Sequence, residues 1–246
     1  MPKIPTLDLF SGIGGFAWGL RHVCCTVAYC EIDQKCQSVL HNQMSKGNLD
    51  FAPIFPDIRR LKAEDLRNLN IHPKMATSGS LCTDISIANF RGKGVVGPQS
   101  KLVFDAVELI KSIPSIEILL LENSANLKRR GESVLIKALE NAGFQTRTMQ
   151  LSAESIGAFH RRRRWFCFAW KNLQNMSLLR SVRHVWRLPT QRFIACNGDV
   201  AFCRQCILRC WEMRWFQHVL TPLYVCLLTQ VWDRKSVLFQ AKQTLT

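Results

Sequence analysis

The chain has 246 residues, 47% of them hydrophobic and 21% charged, which suits one domain with a real core and excludes a chain that is disordered or membranous in bulk. A formal net charge of +15 and a pI of about 9.7 call for a polyanionic partner, and nucleic acid is the usual one for a basic domain. Eleven scattered cysteines, with no apolar signal core behind Met1–Pro5, read as free thiols of an intracellular protein, and the longest apolar run, His218–Trp232, is too short to cross a membrane.

In chain order, Thr6–Phe10 alternates like a short buried strand and runs into Ser11-Gly-Ile-Gly-Gly15, after which Phe16, Trp18 and Leu20 begin a helix. Strand, glycine turn and helix make a corner where bare backbone lets a phosphate or nucleoside approach, although an ordinary tight turn has the same composition. Thr26–Cys30 is a second strand with Glu31 at its end, about the spacing at which an acid can hold both ribose hydroxyls of a nucleoside. Asp57, in Phe55-Pro-Asp-Ile58, ends a third short strand or caps the polar stretch after it.

Met75–Ser78 is a fourth strand, leading into Gly79-Ser-Leu-Cys-Thr-Asp-Ile-Ser86, where Cys82 stands among small and hydroxyl residues. A thiol is the most effective side-chain nucleophile near neutral pH, yet a lone cysteine is more often a small buried hydrophobe. Asn89–Gln99 is a Gly-rich connector with Arg91 and Lys93, and Ser100–Ser112 an amphipathic helix. Ile116–Leu121 is the clearest strand, suited to the middle of a parallel sheet, and ends at Glu122-Asn-Ser124. Val134–Ala142 is helical and stops at Gly143; Phe144–Leu151 and Trp165–Ala169 are two further strands, the second preceded by His160 and four arginines. Strands alternating with helices over Thr6–Trp170 indicate a doubly wound, mostly parallel α/β sheet of the Rossmann type.

Taken together, the order of these motifs resembles that of the cytosine-5 DNA methyltransferases. Asp8-Leu-Phe-Ser-Gly-Ile-Gly-Gly15 is similar to their cofactor motif, Leu81-Cys-Thr-Asp-Ile-Ser86 to their nucleophile motif, Glu122-Asn-Ser124 to their glutamate motif, and His160–Arg164 to their arginine motif. The chain departs from the family's pattern at Leu81 and Phe159, where proline is usual, and at His160, where glutamine is usual. The resemblance implies the S-adenosylmethionine-dependent methyltransferase fold, S-adenosylmethionine as cofactor, double-stranded DNA as partner, a place in restriction and modification, and no metal. It implies Cys82 as the nucleophile on cytosine C6 and Glu122 as the carboxyl that grips the N3/N4 edge and shares a proton there. Arg162 and Arg164 would stabilise the pocket, while Arg161 and Arg163, of opposite parity, would face solvent or phosphate. Phe10, Gly12 and Gly14 would surround the cofactor, Glu31 take its ribose and Asp57 its adenine amino group, with Ile32 and Ile58 beside them.

The resemblance covers about Thr6–Trp170, so residues 1–171 are assigned to the catalytic domain. Composition changes over residues 172–246, which hold four of the seven tryptophans and ten Lys or Arg against three acids, without sustained periodicity. No target-recognition domain is identifiable there, and such a tail is what an out-of-frame or truncated continuation produces. Cys203, Cys206 and Cys210 lack a partner pair at finger-like spacing, which argues against zinc. Two other readings share these motifs: an inactive relative that binds DNA or a partner protein, and an RNA cytosine methyltransferase.

Overall fold

A computed structural model of the chain describes residues 2–79, 102–154 and 161–171. Seven strands form one sheet in the order β3-β2-β1-β4-β5-β7-β6, with β1 Ile4–Leu9, β2 Cys24–Cys30, β3 Ile54–Phe55, β4 Met75–Ser78, β5 Ile118–Ser124, β6 Gln145–Ser152 and β7 Arg163–Trp170. Pairings among β1 to β5 are all parallel, whereas β7 runs antiparallel to both β5 and β6. The helices are α1 Gly15–Leu20, α2 Gln34–Ser45, α3 Ala63–Asn68, α4 Leu102–Lys111, α5 Leu127–Arg130 and α6 Glu132–Asn141.

Side-chain alternation divides the sheet between two cores, because successive residues of a strand face opposite sides. Leu7, Leu9, Ala76, Leu119, Leu121, Trp165 and Cys167 pack with Val107 and Ile110 of α4 and Leu135 and Leu139 of α6. On the other face, Tyr29 packs with Ala17 of α1, Leu40 and Met44 of α2, and Leu49. Helices on both faces of a mostly parallel sheet make the doubly wound architecture that the alternation of elements implies.

Three helices were not legible in the sequence, α2, α3 and the four-residue α5. The first buries only Cys36, Leu40 and Met44, a single narrow row four residues apart, in an otherwise polar run. Its start is fixed instead by Asp33, whose carboxylate accepts from the N–H groups of Lys35 and Cys36 at 2.8 and 3.2 Å. The strand expected over Ile116–Leu121 begins and ends later, at Ile118 and Ser124, because the antiparallel ladder with β7 carries pairing past Glu122.

Gly14 lies between turn and helix with φ +88°, and a Cβ there would stand 2.5 Å from Leu49 Cδ1 and 3.1 Å from Leu40 Cδ2. Gly14→Ala therefore combines a left-handed backbone with overpacking against two buried leucines. It is expected to destabilise the fold by about 1–3 kcal/mol, read as a lower urea midpoint at unchanged m-value.

Candidate active site

Parallel pairing brings the carboxyl ends of β1 to β5 to one edge of the sheet, the usual ligand position in an open α/β fold. At the end of β1, Phe10 takes φ +53° and Gly12 φ +56°. A bulky side chain in the left-handed region is an outlier that surrounding structure must enforce, and such outliers gather at binding sites. A Cβ on Gly12 would meet nothing within 4 Å among the described residues, which leave the turn open on that side. Glu31, at the end of β2, accepts from the Gly12 N–H at 2.6 Å and the Asp33 N–H at 2.8 Å. Each of its oxygens thus holds one backbone donor and keeps a lone pair for a hydroxyl.

Glu122 and Arg164 meet across the β5–β7 pair, Arg164 Nε lying 2.6 Å from Glu122 Oε1, with side chains 12% and 18% exposed respectively. Parity makes this possible: Arg164 shares its face of β7 with Phe166, which stands opposite Glu122. The other carboxylate oxygen, Oε2, faces Gly79, lying 3.8 Å from where a Cβ of that glycine would stand. The same point is 3.5 Å from Phe16 Cε2 and 4.0 Å from the Phe10 carbonyl oxygen. Gly79 is thus a crossing point of β4, the glycine turn and the Glu122 carboxylate, and Cys82 follows it by three residues in sequence. Cys82 itself lies outside the described residues, as do the whole nucleophile motif, His160 and the tail with its cysteines.

The remaining candidates divide. Arg161, Arg162 and Arg163 are all exposed, so exposure does not separate the two parities there; Arg161 pairs with Glu154 at 3.2 Å. Asp57 is engaged by Arg59 in a two-pronged pair at 2.7–3.2 Å, which holds its carboxyl below the usual range. Rather than capping a helix, it accepts from the Arg59 N–H in a turn, and a groove lined by Phe55, Asp57, Arg60 and Leu61 opens beside it. Ile32, just after Glu31, is 57% exposed, whereas Ile58 is buried in the core cluster and can offer a ligand only backbone. Burial pushes the thiols of Cys24 and Cys30 up to about 12 and that of Cys167 up as well, so these three are inert near neutral pH.

Residues 4–195 match the C-5 cytosine-specific DNA methylase family. The chain belongs to that family. It is 33% identical over 165 residues to the Type II methyltransferase M.CviJI of Paramecium bursaria Chlorella virus IL3A, covering 67% of this chain and 42% of that protein. Over 211 residues it is 25% identical to the Type II methyltransferase M.Sau3AI of Staphylococcus aureus, covering 80% and 50%. Among solved structures, the methyltransferase EhMeth of Entamoeba histolytica superposes with TM-score 0.58 at 14% identity, covering 70% of this chain and 54% of that one. A DNMT2 of Spodoptera frugiperda gives 0.56 at 18% identity, covering 70% and 51%. These establish the fold as that of the cofactor-dependent cytosine methyltransferases. The chain spans about half the length of the curated relatives it matches, and the family match runs beyond Lys171 to residue 195.

Within this C-5 methylase chain, sequence reasoning missed Asp8, Ser11, Phe16, Thr77 and Gly79. Asp8 is fully buried at the end of β1, where Thr77 Oγ1 donates to its Oδ1 at 2.5 Å. Burial pushes its carboxyl up to about 7; the hydrogen bond from Thr77 opposes the rise and the Glu31 carboxylate adds to it. Because the folded value exceeds that of a solvated carboxyl, the stability gained from protonating Asp8 is full below about pH 4 and lost by about pH 7. The signal in the sequence was an acid inside a hydrophobic strand, Leu7-Asp-Leu9, but its partner lies 69 residues away.

Proposed function

We propose that the chain transfers a methyl group from S-adenosylmethionine to C5 of cytosine in double-stranded DNA, through a covalent bond between Cys82 and the base. The observation that carries this reading is the Glu122–Arg164 pair, which joins the glutamate and arginine motifs in one strand pair and turns Glu122 Oε2 toward the Gly79 end of β4.

The carboxyl edge of the sheet suits the cofactor: a backbone turn open above Gly12, with a carboxylate at the next strand end whose oxygens retain acceptor capacity. Glu31 would hold the ribose hydroxyls, Phe10, Gly12 and Gly14 would border the nucleoside, and Ile32 would flank it. Asp57 would meet the adenine amino group with an oxygen it shares with Arg59. When bound, S-adenosylmethionine supplies an electrophilic methyl group.

Cytosine C5 is a poor nucleophile until something adds to C6. The Cys82 thiolate forms a bond from sulfur to C6, and the ring electrons shift toward C5 as in an enamine. Glu122 holds the N3/N4 edge and shares a proton with it, so that negative charge does not accumulate on the ring. Arg164 fixes the Glu122 carboxylate, and Arg162 lies at the rim to meet the base or its phosphate. After transfer, solvent water takes the C5 proton as the sulfur leaves C6 with its bonding pair, restoring the C5–C6 double bond and the Cys82 thiolate. The target must be extruded from the duplex, and the basic balance of the chain supplies the phosphate contacts that precede extrusion.

Such a protein works in the cell interior, where DNA is, and the names of the curated relatives suggest a place in restriction and modification. The test is incorporation of labelled methyl groups into unmethylated duplex DNA, with RNA as the competing acceptor. Methyl transfer to RNA alone, or to neither, refutes the reading. Glu31→Ala is expected to weaken cofactor binding at least about tenfold, the scale of one charge-assisted hydrogen bond to a hydroxyl, as measured by calorimetry.

A further inference from the structure

Asp8 has no part in the chemistry above, yet it is the most deeply enclosed charged-type residue at this edge of the sheet. Its Oδ1 accepts from Thr77, while Oδ2 is buried with no hydrogen-bond partner among the described residues. In register, Asp8 lies opposite Thr77 on β4 and opposite Tyr29 on β2. The groups that act on it are Thr77, Ser11 and the Glu31 carboxylate, with the Tyr29 phenol and the Cys24 and Cys30 thiols also within electrostatic reach; none of these is a cation, and α1 carries no titratable residue. A bare carboxylate in such a place is costly, and a proton removes the cost.

Position gives this acid its interest. Two residues beyond Asp8 the chain enters the strained turn at Phe10, and Ser11 Oγ donates back to the Asp8 carbonyl at 2.6 Å. Two residues beyond Thr77 stands Gly79, whose N–H reaches back to the Leu9 carbonyl at 3.4 Å. The Asp8–Thr77 bond therefore ties together the ends of two strands, one feeding the glycine turn and the other feeding the Cys82 segment.

We propose that Asp8, through Thr77, is a positioning residue that locks the glycine turn at Ser11–Gly14 to the Gly79 end of β4, so that the cofactor turn and the strand end that precedes Cys82 in sequence are set as one unit. This rests on the reading of that turn as the cofactor site and of Cys82 as the nucleophile. With the acid neutral the lock is closed. As pH rises and Asp8 ionises beside Glu31, the desolvated charge strains its surroundings and the lock loosens.

Hydrogen exchange tests the coupling without relying on turnover. The reporters are the amides of Ser11, Gly12 and Gly14 on one side and Gly79 on the other, with the β6–β7 ladder as internal reference. Thr77→Val keeps shape but removes the donor, and it is expected to speed exchange on both sides together by about tenfold, leaving the reference unchanged. Asp8→Val should do the same, whereas Asp8→Asn, which keeps a neutral acceptor, should stay within about twofold of the native chain. After correction for base catalysis, raising pH from 6 to 9 should loosen both sides in the native chain and neither in Asp8→Asn. S-adenosylhomocysteine should bind about tenfold more weakly to Thr77→Val than to the native chain. Loosening of one side alone, an equal effect on the reference ladder, or an Asn variant that behaves like Val overturns the proposal. If the native chain fails to bind S-adenosylhomocysteine, the proposed function falls, while the exchange results still decide the coupling.

Discussion

Glu122→Gln is expected to lower methyl transfer by about two to three orders of magnitude, the range over which a positioned proton-sharing group contributes. Glutamine keeps the volume and one acceptor oxygen but cannot pass a proton to the N3/N4 edge. It also leaves the Arg164 guanidinium, only 18% exposed, without its charge partner 2.6 Å away. Breaking a half-shielded pair from one side costs stability too, on the order of 1–3 kcal/mol once residual solvent screening is allowed for. The two effects separate by measurement. Single-turnover methyl transfer at saturating DNA reports the chemistry, and urea unfolding reports the pair. Arg164→Met should show the stability loss with a smaller loss of rate, since the carboxyl remains to share its proton. Equal rates in native and Glu122→Gln chains contradict the role given to Glu122.

Cys82→Ala is expected to have the larger effect, a loss of at least about four orders of magnitude, because removing a covalent nucleophile removes the route and not merely a contact. Cofactor binding should change less than about threefold, since Glu31 and the Gly12 turn, which would carry it, are untouched. Cys82→Ser, with a hydroxyl far less ionised than a thiol, should recover little. A variant lacking Cys82 that still methylates DNA would assign the chemistry to another group. Cys24, Cys30 and Cys167 are poor alternatives, for burial pushes each of their thiols far above neutrality.

How much of this was legible in the sequence depends on whether the decisive interaction is local. The leucines of β5 announce a buried parallel strand, because both faces must be apolar there, whereas Met75–Ser78, with Thr77 and Ser78 buried, gives a thinner signal. The resemblance to the arginine motif picked out Arg162 and Arg164 together; of the two, Arg164 lies on the face of β7 that pairs with Glu122, while Arg162 is exposed ahead of the strand. Glu31 was legible from its spacing after the glycine turn, and the structure brings it to the Gly12 N–H. What failed was of two kinds. Helix α2 has too thin an apolar row for periodicity to reveal, and its start depends on a side-chain cap at Asp33. The Asp8–Thr77 bond, and the approach of Phe16 and Glu122 to Gly79, depend on β1 lying between β2 and β4, a strand order no local pattern encodes. Asp57 fell between: its place at the end of β3 was readable, but its capture by Arg59 two residues on was not.

The central claim is most directly tested by incubating the full chain and S-adenosylmethionine with duplex DNA containing 5-fluorocytosine, then weighing the protein under denaturing conditions. Fluorine at C5 blocks the final proton loss, so an enzyme that adds sulfur to C6 stays bound to the strand. The account predicts a covalent protein–DNA species with the native chain and none with Cys82→Ala. A native chain that binds both DNA and cofactor yet forms no such species, or an alanine variant that still forms it, contradicts the account.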